Sequence, residues 1–318
     1  MGTSFLILLS YTLIFFVALM LVAIGGMFSE RSGIVNIGLE GTMCFGGCFG
    51  ILTLIGLTKV NCPAVLTVIL VVLVACVMGG LFSMLLASVA IKFNADQTLI
   101  GTALNLFATA FTVVLTKFIS PASTDTLVFV KKAFVIHLGQ LDINIFLLLG
   151  LIVLLLSYVI LNKTRFGLRL MACGENPQAA ASAGINVIKY RYIGVLISGV
   201  LAGLGAISYI IPSASAWNAS SGVSGYGFLA LAVLIFGAWK PLRIAGASLF
   251  FSFFLALSFC YYDVFLSFFG ITLTKETGVT SELFKMLPYI LSLVVLAFTS
   301  KNSQSPKAAG QPYERGKR

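Results

Sequence analysis

The chain has 318 residues, of which 59% are hydrophobic and 9% are charged, against roughly a quarter charged in ordinary soluble domains. This composition excludes a water-soluble globule and indicates a polytopic membrane protein whose spans must be helices. The net charge of +10 does not indicate nucleic-acid binding, because the basic residues are scattered between apolar runs and orient them in the membrane instead.

Apolar runs, each long enough to cross about 30 Å of hydrocarbon, follow one another along the chain. We predict an all-α transmembrane bundle of nine spans, and eight to ten are compatible with the pattern. No short, cleavable-looking signal segment precedes the first run, so we expect a retained helix there. The predicted spans are 5–27, 33–57, 64–91, 98–116, 143–161, 193–211, 225–239, 244–262 and 283–299.

Basic residues set the predicted orientation. The loop 162–192 and the tail after residue 299 each carry five Lys or Arg, so both are predicted to be cytoplasmic and the N-terminus external. We assign residues 1–300 to one transmembrane domain and residues 301–318 to a disordered, basic cytoplasmic tail that could touch anionic lipid. Two places leave the count open: segment 117–142 could hide another span, and the short seventh span could be a re-entrant hairpin.

The stretch 29–41, SERSGIVNIGLEG, places polar residues between two apolar runs. A charged side chain at mid-membrane costs about 3 kcal/mol on insertion scales, so Glu40 is tolerated only against protein or water. The three glycines would permit a discontinuous, closely packed second span, which transporters use beside a solute. The alternative is an interfacial turn, with Glu30 and Arg31 in solvent and Glu40 near a helix end.

A second signal lies in the largest predicted cytoplasmic loop, in TRFGLRLMACGENPQAAASAGINV at 164–187. Asn176 is a good N-cap, Pro177 suits the first helical position, and Gly184 supplies a left-handed stop. The pattern predicts a two-turn helix with a small-residue face across the cytoplasmic end of the bundle. Because so short a helix does not persist alone in water, it needs a docking partner, either the bundle itself or a groove of another protein.

These two stretches, with ADQTLIGTALNLFA (95–108) and GYGFLALAVLIFGAWKP (225–241), occur in the same order as in one known family. The chain resembles the permease subunits of bacterial ATP-binding-cassette (ABC) importers for simple sugars and nucleosides, from about residue 5 to residue 299. It looks most like the nucleoside-uptake branch. The expected function is import of nucleosides, purine nucleosides above all, across the bacterial inner membrane.

The resemblance implies partners and sites. A cytoplasmic ATPase would grip the short helix as a coupling helix, beside a second, different permease, an extracytoplasmic substrate-binding lipoprotein and membrane lipids, without nucleic acid. The second span would line the solute path. The implied coupling residues are Gly174, Glu175, Asn176, Pro177, Ala179, Ala180, Ala183 and Gly184, and the path candidates are Asn36, Gly38, Glu40, Asn105, Tyr226 and Phe228.

Several interpretations stay open. Asn105 could equally link two helices by hydrogen bonds, and Tyr209 and Trp217 suit both a solute site and the aromatic belt of a membrane protein. The cargo could be a simple sugar such as ribose, or the chain could be an ion-driven transporter with Glu40 or Asp96 as its ion site. A membrane-embedded enzyme lacks any paired acid, base or metal constellation.

The sequence also predicts a division of labour. It contains no G-x-x-x-x-G-K-[ST] phosphate loop, so a separate subunit must hydrolyse ATP. His137 stands alone, and the six Cys are expected to be small packing residues. We therefore expect a non-catalytic subunit without a cofactor or metal.

Overall fold

The computed structural model describes residues 2–120, 124–130, 134–138, 141–269 and 305–313, together with 286, 290, 293 and 294. Within them lie ten helices with defined bounds and four short strands. The helices are α1 (Gly2–Arg31), α2 (Leu39–Lys59), α3 (Ala64–Lys92), α4 (Gln97–Ile119), α5 (Ile145–Lys163), α6 (Arg165–Glu175), α7 (Pro177–Ser182), α8 (Val187–Ser213), α9 (Tyr226–Phe236) and α10 (Pro241–Phe269). The strands are β1 (Thr126–Val128), β2 (Val135–Leu138), β3 (Leu141–Asn144) and β4 (Ala216–Asn218).

Seven of these helices are long and apolar enough to cross a membrane: α1 to α5, α8 and α10. They correspond to the first six predicted spans and the eighth, which confirms the polytopic helical bundle. α8 packs against α1, α2 and α3. Gly79 of α3 and Gly199 and Gly203 of α8 lie so close to the facing helix that a Cβ would not fit. The two backbones are therefore in direct contact, as is typical of small-residue interfaces between membrane helices. The ninth predicted span lies outside the described residues, apart from four positions.

The second span begins later than predicted. α1 continues to Arg31 and α2 starts at Leu39, so residues 32–38 form a non-helical connection rather than the first turns of a helix. Gly33 sets the break, because its φ of +97° lies in the region that favours glycine. The predicted discontinuity is therefore present, at the start of the span.

The seventh predicted span contains only a short helix. α9 has 11 residues, about 16 Å at 1.5 Å per residue, against about 30 Å of hydrocarbon. It follows Gly225, with φ of +82°, and stops before Ala238 and Trp239, whose φ values are also positive. α9 is thus too short for the full crossing predicted, and the hairpin alternative fits its length.

The segments predicted to be external lie together. β1 pairs antiparallel with β4, which joins 126–128 to 216–218, and β2 pairs antiparallel with β3. The described residues from 124 to 144 thus contain short strands and no additional span. Beside β1 the Ser220 hydroxyl donates a hydrogen bond to the Asp125 carboxylate, which lowers the pKa of Asp125.

Residues 305–313 of the tail pack against the cytoplasmic end of the bundle. The Ala308 N–H donates to the Gly174 carbonyl at 2.9 Å, and the Gly310 N–H donates to the Gly33 carbonyl at 3.2 Å. Where composition predicts disorder, these nine residues form a turn with defined contacts, because Pro306 and Ala308 are buried there. The domain boundary at residue 300 stays a prediction.

Candidate functional site

The connection between α1 and α2, residues 32–38 (the entering segment), carries non-helical backbone into the bundle. Ile34, Asn36 and Gly38 within it are buried. Such backbone is tolerated at membrane depth only where protein or water satisfies its polar groups. The hydrogen bonds of the entering segment therefore identify the side chains that hold it.

Two amide side chains of α4 hold the entering segment and the start of α2. The Val35 N–H donates to Gln97 Oε1 at 2.7 Å. Asn105 donates to the Ile37 carbonyl at 3.0 Å and accepts from the Gly41 N–H at 2.7 Å. Asn105 thus links α4 to the start of α2 by hydrogen bonds, which agrees with its interpretation as a residue that joins two helices.

The depth of the entering segment follows from its partners. Asn105 lies nine residues beyond Asp96, the N-cap of α4, which is about 13 Å along a helix. Asn36 donates to Ser198 Oγ at 3.0 Å. Ser198 lies 12 residues beyond Asn186, the N-cap of α8, which is about 18 Å. α2 therefore starts near the middle of a hydrocarbon core about 30 Å thick.

Glu40 caps α9 from a different helix. Its Oε1 accepts from the Gly225 N–H at 2.9 Å and its Oε2 accepts from the Gly227 N–H at 2.7 Å. The first N–H groups of a helix lack partners within the helix, and that end carries partial positive charge. A carboxylate there accepts hydrogen bonds from the N–H groups and is attracted by the positive charge. Gly227 is required for this approach, because a Cβ there would lie 2.5 Å from Glu40 Cα. We call this contact between the starts of α2 and α9 the junction.

The aromatic candidates lie around the junction and above it. Tyr226, the first residue of α9, is 4% exposed and stacks on Tyr209 with ring centroids 4.0 Å apart. Phe228 is 48% exposed. Tyr209 and Trp217 also line an external cavity of about 140 Å³. Hydroxyl and amide groups complete that cavity: Ser213, Asn218, Ser221 and Ser224.

The predicted cytoplasmic helix is α7, and its ends are capped as expected. Asn176 Oδ1 accepts from the Ala179 N–H at 3.0 Å, Pro177 is the first helical residue, and Gly184 has a φ of +79°. Pro177 and Ala180 are buried, whereas 178–179 and 182–183 on the opposite face are exposed. One face of α7 therefore docks on the bundle, and the other is presented to the cytoplasmic side.

The residues just before α7 contact the start of the entering segment. Glu175 lies 3.8 Å from Arg31 Nη1, and Gly174 is so close to the Arg31 carbonyl that a Cβ would not fit. Arg31 Nη2 donates to the Trp239 carbonyl at 3.1 Å, and the Trp239 indole donates to Glu30 at 2.7 Å. Glu30 is 7% exposed, so the interfacial-turn alternative is wrong in placing it in solvent. The same alternative is right that Glu40 lies near a helix end, because it is the second residue of α2.

A family model described as "Branched-chain amino acid transport system / permease component" matches residues 8–296. The chain belongs to this permease family. It is 39% identical to guanosine ABC transporter permease protein NupQ of Bacillus subtilis (strain 168) and 35% identical to nucleoside ABC transporter permease protein NupC of Lactococcus lactis subsp. cremoris (strain MG1363), over 98% of each chain. It is also 29% identical to guanosine ABC transporter permease protein NupP of Bacillus subtilis (strain 168), over 66% of this chain and 62% of that protein.

Family membership confirms the class of protein expected from the resemblance. The permease is a multi-pass protein of the bacterial inner membrane and a transport component rather than an enzyme. Membership of an ABC permease family implies an ATPase and a substrate-binding partner.

Several side chains of the permease at these sites are not among the predicted site residues, and Gln97, Ser198 and Arg191 are examples. Gln97 is 5% exposed, and an amide in the first turn of a membrane helix is a signal that could have identified it. Ser198 lies in an apolar run, where serine is an ordinary packing residue and gives no signal. Arg191 counts in the sequence only as a cytoplasmic positive charge, yet it is 2% exposed.

Proposed function

We propose that this permease imports nucleosides, purine nucleosides in particular, as one subunit of an ATP-driven complex. Similarity to NupQ and NupC along 98% of the chain supports the choice of solute. The observation that carries the ATP-driven mechanism is the geometry of α7, whose inner face is buried and whose outer face is exposed. A force applied to that outer face is transmitted to the bundle, because the inner face is packed against it.

The proposed coupling site is α7 with its flanking residues. Small side chains on the outer face, Ala179 and Ala183, leave α7 narrow enough to enter a groove of an ATPase. Asn176 and Gly184 fix its two ends, so it moves as one unit. Gly174 and Glu175 contact Arg31, so a displacement of α7 would be transmitted through them to Arg31 and to the entering segment that follows it.

The proposed solute path passes the junction. On this proposal the path is closed in the present state, in which Asn36, Gly38 and Asn105 are buried in protein contacts. Separation of α9 from α2 would release the Glu40 carboxylate and the peptide N–H groups that it now binds. Such groups hydrogen-bond ribose hydroxyls, while Tyr226 and Phe228 offer aromatic faces to a base, worth about 1–3 kcal/mol per stacked base.

The proposed complex contains two different permeases, a cytoplasmic ATPase and a substrate-binding lipoprotein outside. Bacillus subtilis supports the pairing, because it has two guanosine permease proteins, NupQ and NupP, that match this chain to different extents. The test is uptake of labelled guanosine by cells that express the whole complex and lack other nucleoside uptake. ATP depletion should abolish uptake, and excess ribose should not compete. Competition by ribose would favour a sugar importer, and uptake that survives ATP depletion but fails with an uncoupler would favour an ion-driven transporter.

A charge on the outer face of α7 tests the coupling site. We expect Ala179→Glu combined with Ala183→Glu to abolish uptake and co-purification of the ATPase while membrane insertion stays normal. Asn162→Glu places one such charge on an exposed residue outside α7 and should have little effect, and each single α7 variant is compared with it. Normal uptake by the α7 variant would contradict the proposal.

A further inference from the structure

Residues 305–313 (the C-terminal clasp) connect three separate parts of the cytoplasmic end. The Ala308 N–H binds the carbonyl of Gly174, the penultimate residue of α6, and the Gly310 N–H binds the carbonyl of Gly33 in the entering segment. Arg191, near the start of α8, donates through Nη1 to the Gln311 carbonyl at 3.0 Å. Two residues apart on the clasp, Ala308 and Gly310 therefore tie the region before α7 to the region before α2.

The buried guanidinium of Arg191 has its polar and aromatic partners on the clasp. It is 2% exposed, and in the described part of the chain no carboxylate forms an ion pair with it. The guanidinium lies 5.9 Å from the centre of the Tyr313 ring, and Nε and Nη2 meet no described acceptor. A buried cation without a counter-ion is costly unless other groups compensate it. The clasp supplies the compensation through one carbonyl and one aromatic face.

The two parts tied by the clasp are those that move together in the proposed ATP-driven function. Arg31, Gly174 and Glu175 already connect the end of α6 with the end of α1. From Gly33 the entering segment leads to Glu40 and so to α9. If the clasp opens, water reaches Arg191 and the ties through Ala308 and Gly310 are lost, so these parts are held together only by the contacts around Arg31.

We propose that the C-terminal clasp, anchored on Arg191, is a positioning element that transmits displacement of α7 to the entering segment and the junction. This inference rests on the proposed ATP-driven function. It concerns the efficiency of transmission, so the clasp is not needed for the ATPase to bind the outer face of α7.

The test compares two truncations of the chain in the full complex, reconstituted in proteoliposomes with guanosine and the substrate-binding protein. Truncation after residue 304 removes the clasp, and truncation after residue 313 keeps it. We expect the first to reduce guanosine uptake per ATP hydrolysed by about fivefold or more, the lower range of coupling between distant sites, and the second to leave the ratio unchanged. An unchanged ratio after clasp removal would overturn the proposal. Absence of ATP-dependent uptake with the unmodified chain would instead overturn the proposed function.

A pair of full-length variants covers the case in which the shorter chain fails to assemble. Tyr313→Ala removes the ring beside Arg191 and should lower the uptake per ATP, whereas Tyr313→Phe keeps the ring and should restore it. If Tyr313→Ala lowers uptake and hydrolysis in equal proportion, the role is structural and the proposal is wrong.

Cys173 reports whether the clasp covers this site. Its side chain is fully buried and lies in a cluster that Tyr313 packs against, and burial raises the pKa of the thiol to about 11. Alkylation of Cys173 by a water-soluble maleimide, followed by peptide mass spectrometry, should be slow in the intact complex and several-fold faster without the clasp. Equal rates would place the clasp elsewhere and overturn the inference.

Discussion

The two short helices α7 and α9 begin with caps of different origin. α7 is capped by Asn176, the residue directly before it, whereas α9 is capped by Glu40, 185 residues before Gly225 in the chain. The cap of α7 needs only residues of its own segment, whereas the cap of α9 exists only when α2 and α9 are both in place. The first arrangement makes α7 a rigid local unit, and the second makes the start of α9 a joint that two hydrogen bonds hold closed.

The largest expected effect is from Glu40→Ala, which breaks the cap between the two helices. It leaves the Gly225 and Gly227 N–H groups without their acceptor in a partly buried place, and we expect the free energy of unfolding to fall by about 3 kcal/mol. Thermal unfolding of the purified complex in detergent measures it. Glu40→Gln keeps the volume and one carbonyl acceptor, so it should lose less. A complex with Glu40→Ala as stable as the wild type would show that the cap is unimportant.

Gly227→Ala tests whether the cap needs close backbone contact. The added Cβ would lie 2.5 Å from Glu40 Cα, and forcing α9 away should destabilise the complex by about 2 kcal/mol. Gly246→Ala is the matched control, because a Cβ at that position in α10 meets nothing within 4 Å. Both should be measured by the same unfolding assay, and equal stabilities would contradict the packing argument.

Asn176→Ala should have the smallest effect on stability, and the effect should be confined to α7. Loss of the N-cap costs about 1 kcal/mol, which should appear as faster amide hydrogen exchange in α7 with little change in overall unfolding. Asn176→Ser restores a cap and should restore protection. Exchange that increases in α9 as well would show that the two helices are less independent than their caps indicate.

The parts of the fold that are predictable from the sequence are those with local contacts. The segment from Asn176 to Gly184 could be predicted because each cap acts within a few residues, and the long spans could be predicted from apolar length. The partner of Glu40 could not, because it is a pair of peptide N–H groups with no side-chain signature. The predicted seventh span extends to residue 239, three residues beyond the end of α9. The helix stops earlier because Ala238 and Trp239 adopt positive φ, which non-glycine residues rarely do.

The tail shows a different limit. Residues 301–318 are polar and basic, so composition alone predicts disorder. The order of 305–313 comes from a few specific contacts, above all with Arg191 and with the carbonyls of Gly33 and Gly174. None of these partners is visible from the composition of the tail, and Arg191 itself resembles any other basic residue of a cytoplasmic loop.

The half-length α9 has a mechanical consequence. The entering segment leads into α2 and the turn at 219–225 leads into α9, so both helices start beside Glu40. At that point these elements lack the continuous ladder of hydrogen bonds that stiffens a full-length helix. The start of α9 can therefore shift against the start of α2 without either helix being unwound, while the continuous helices α1, α3 and α8 keep the rest of the bundle in place.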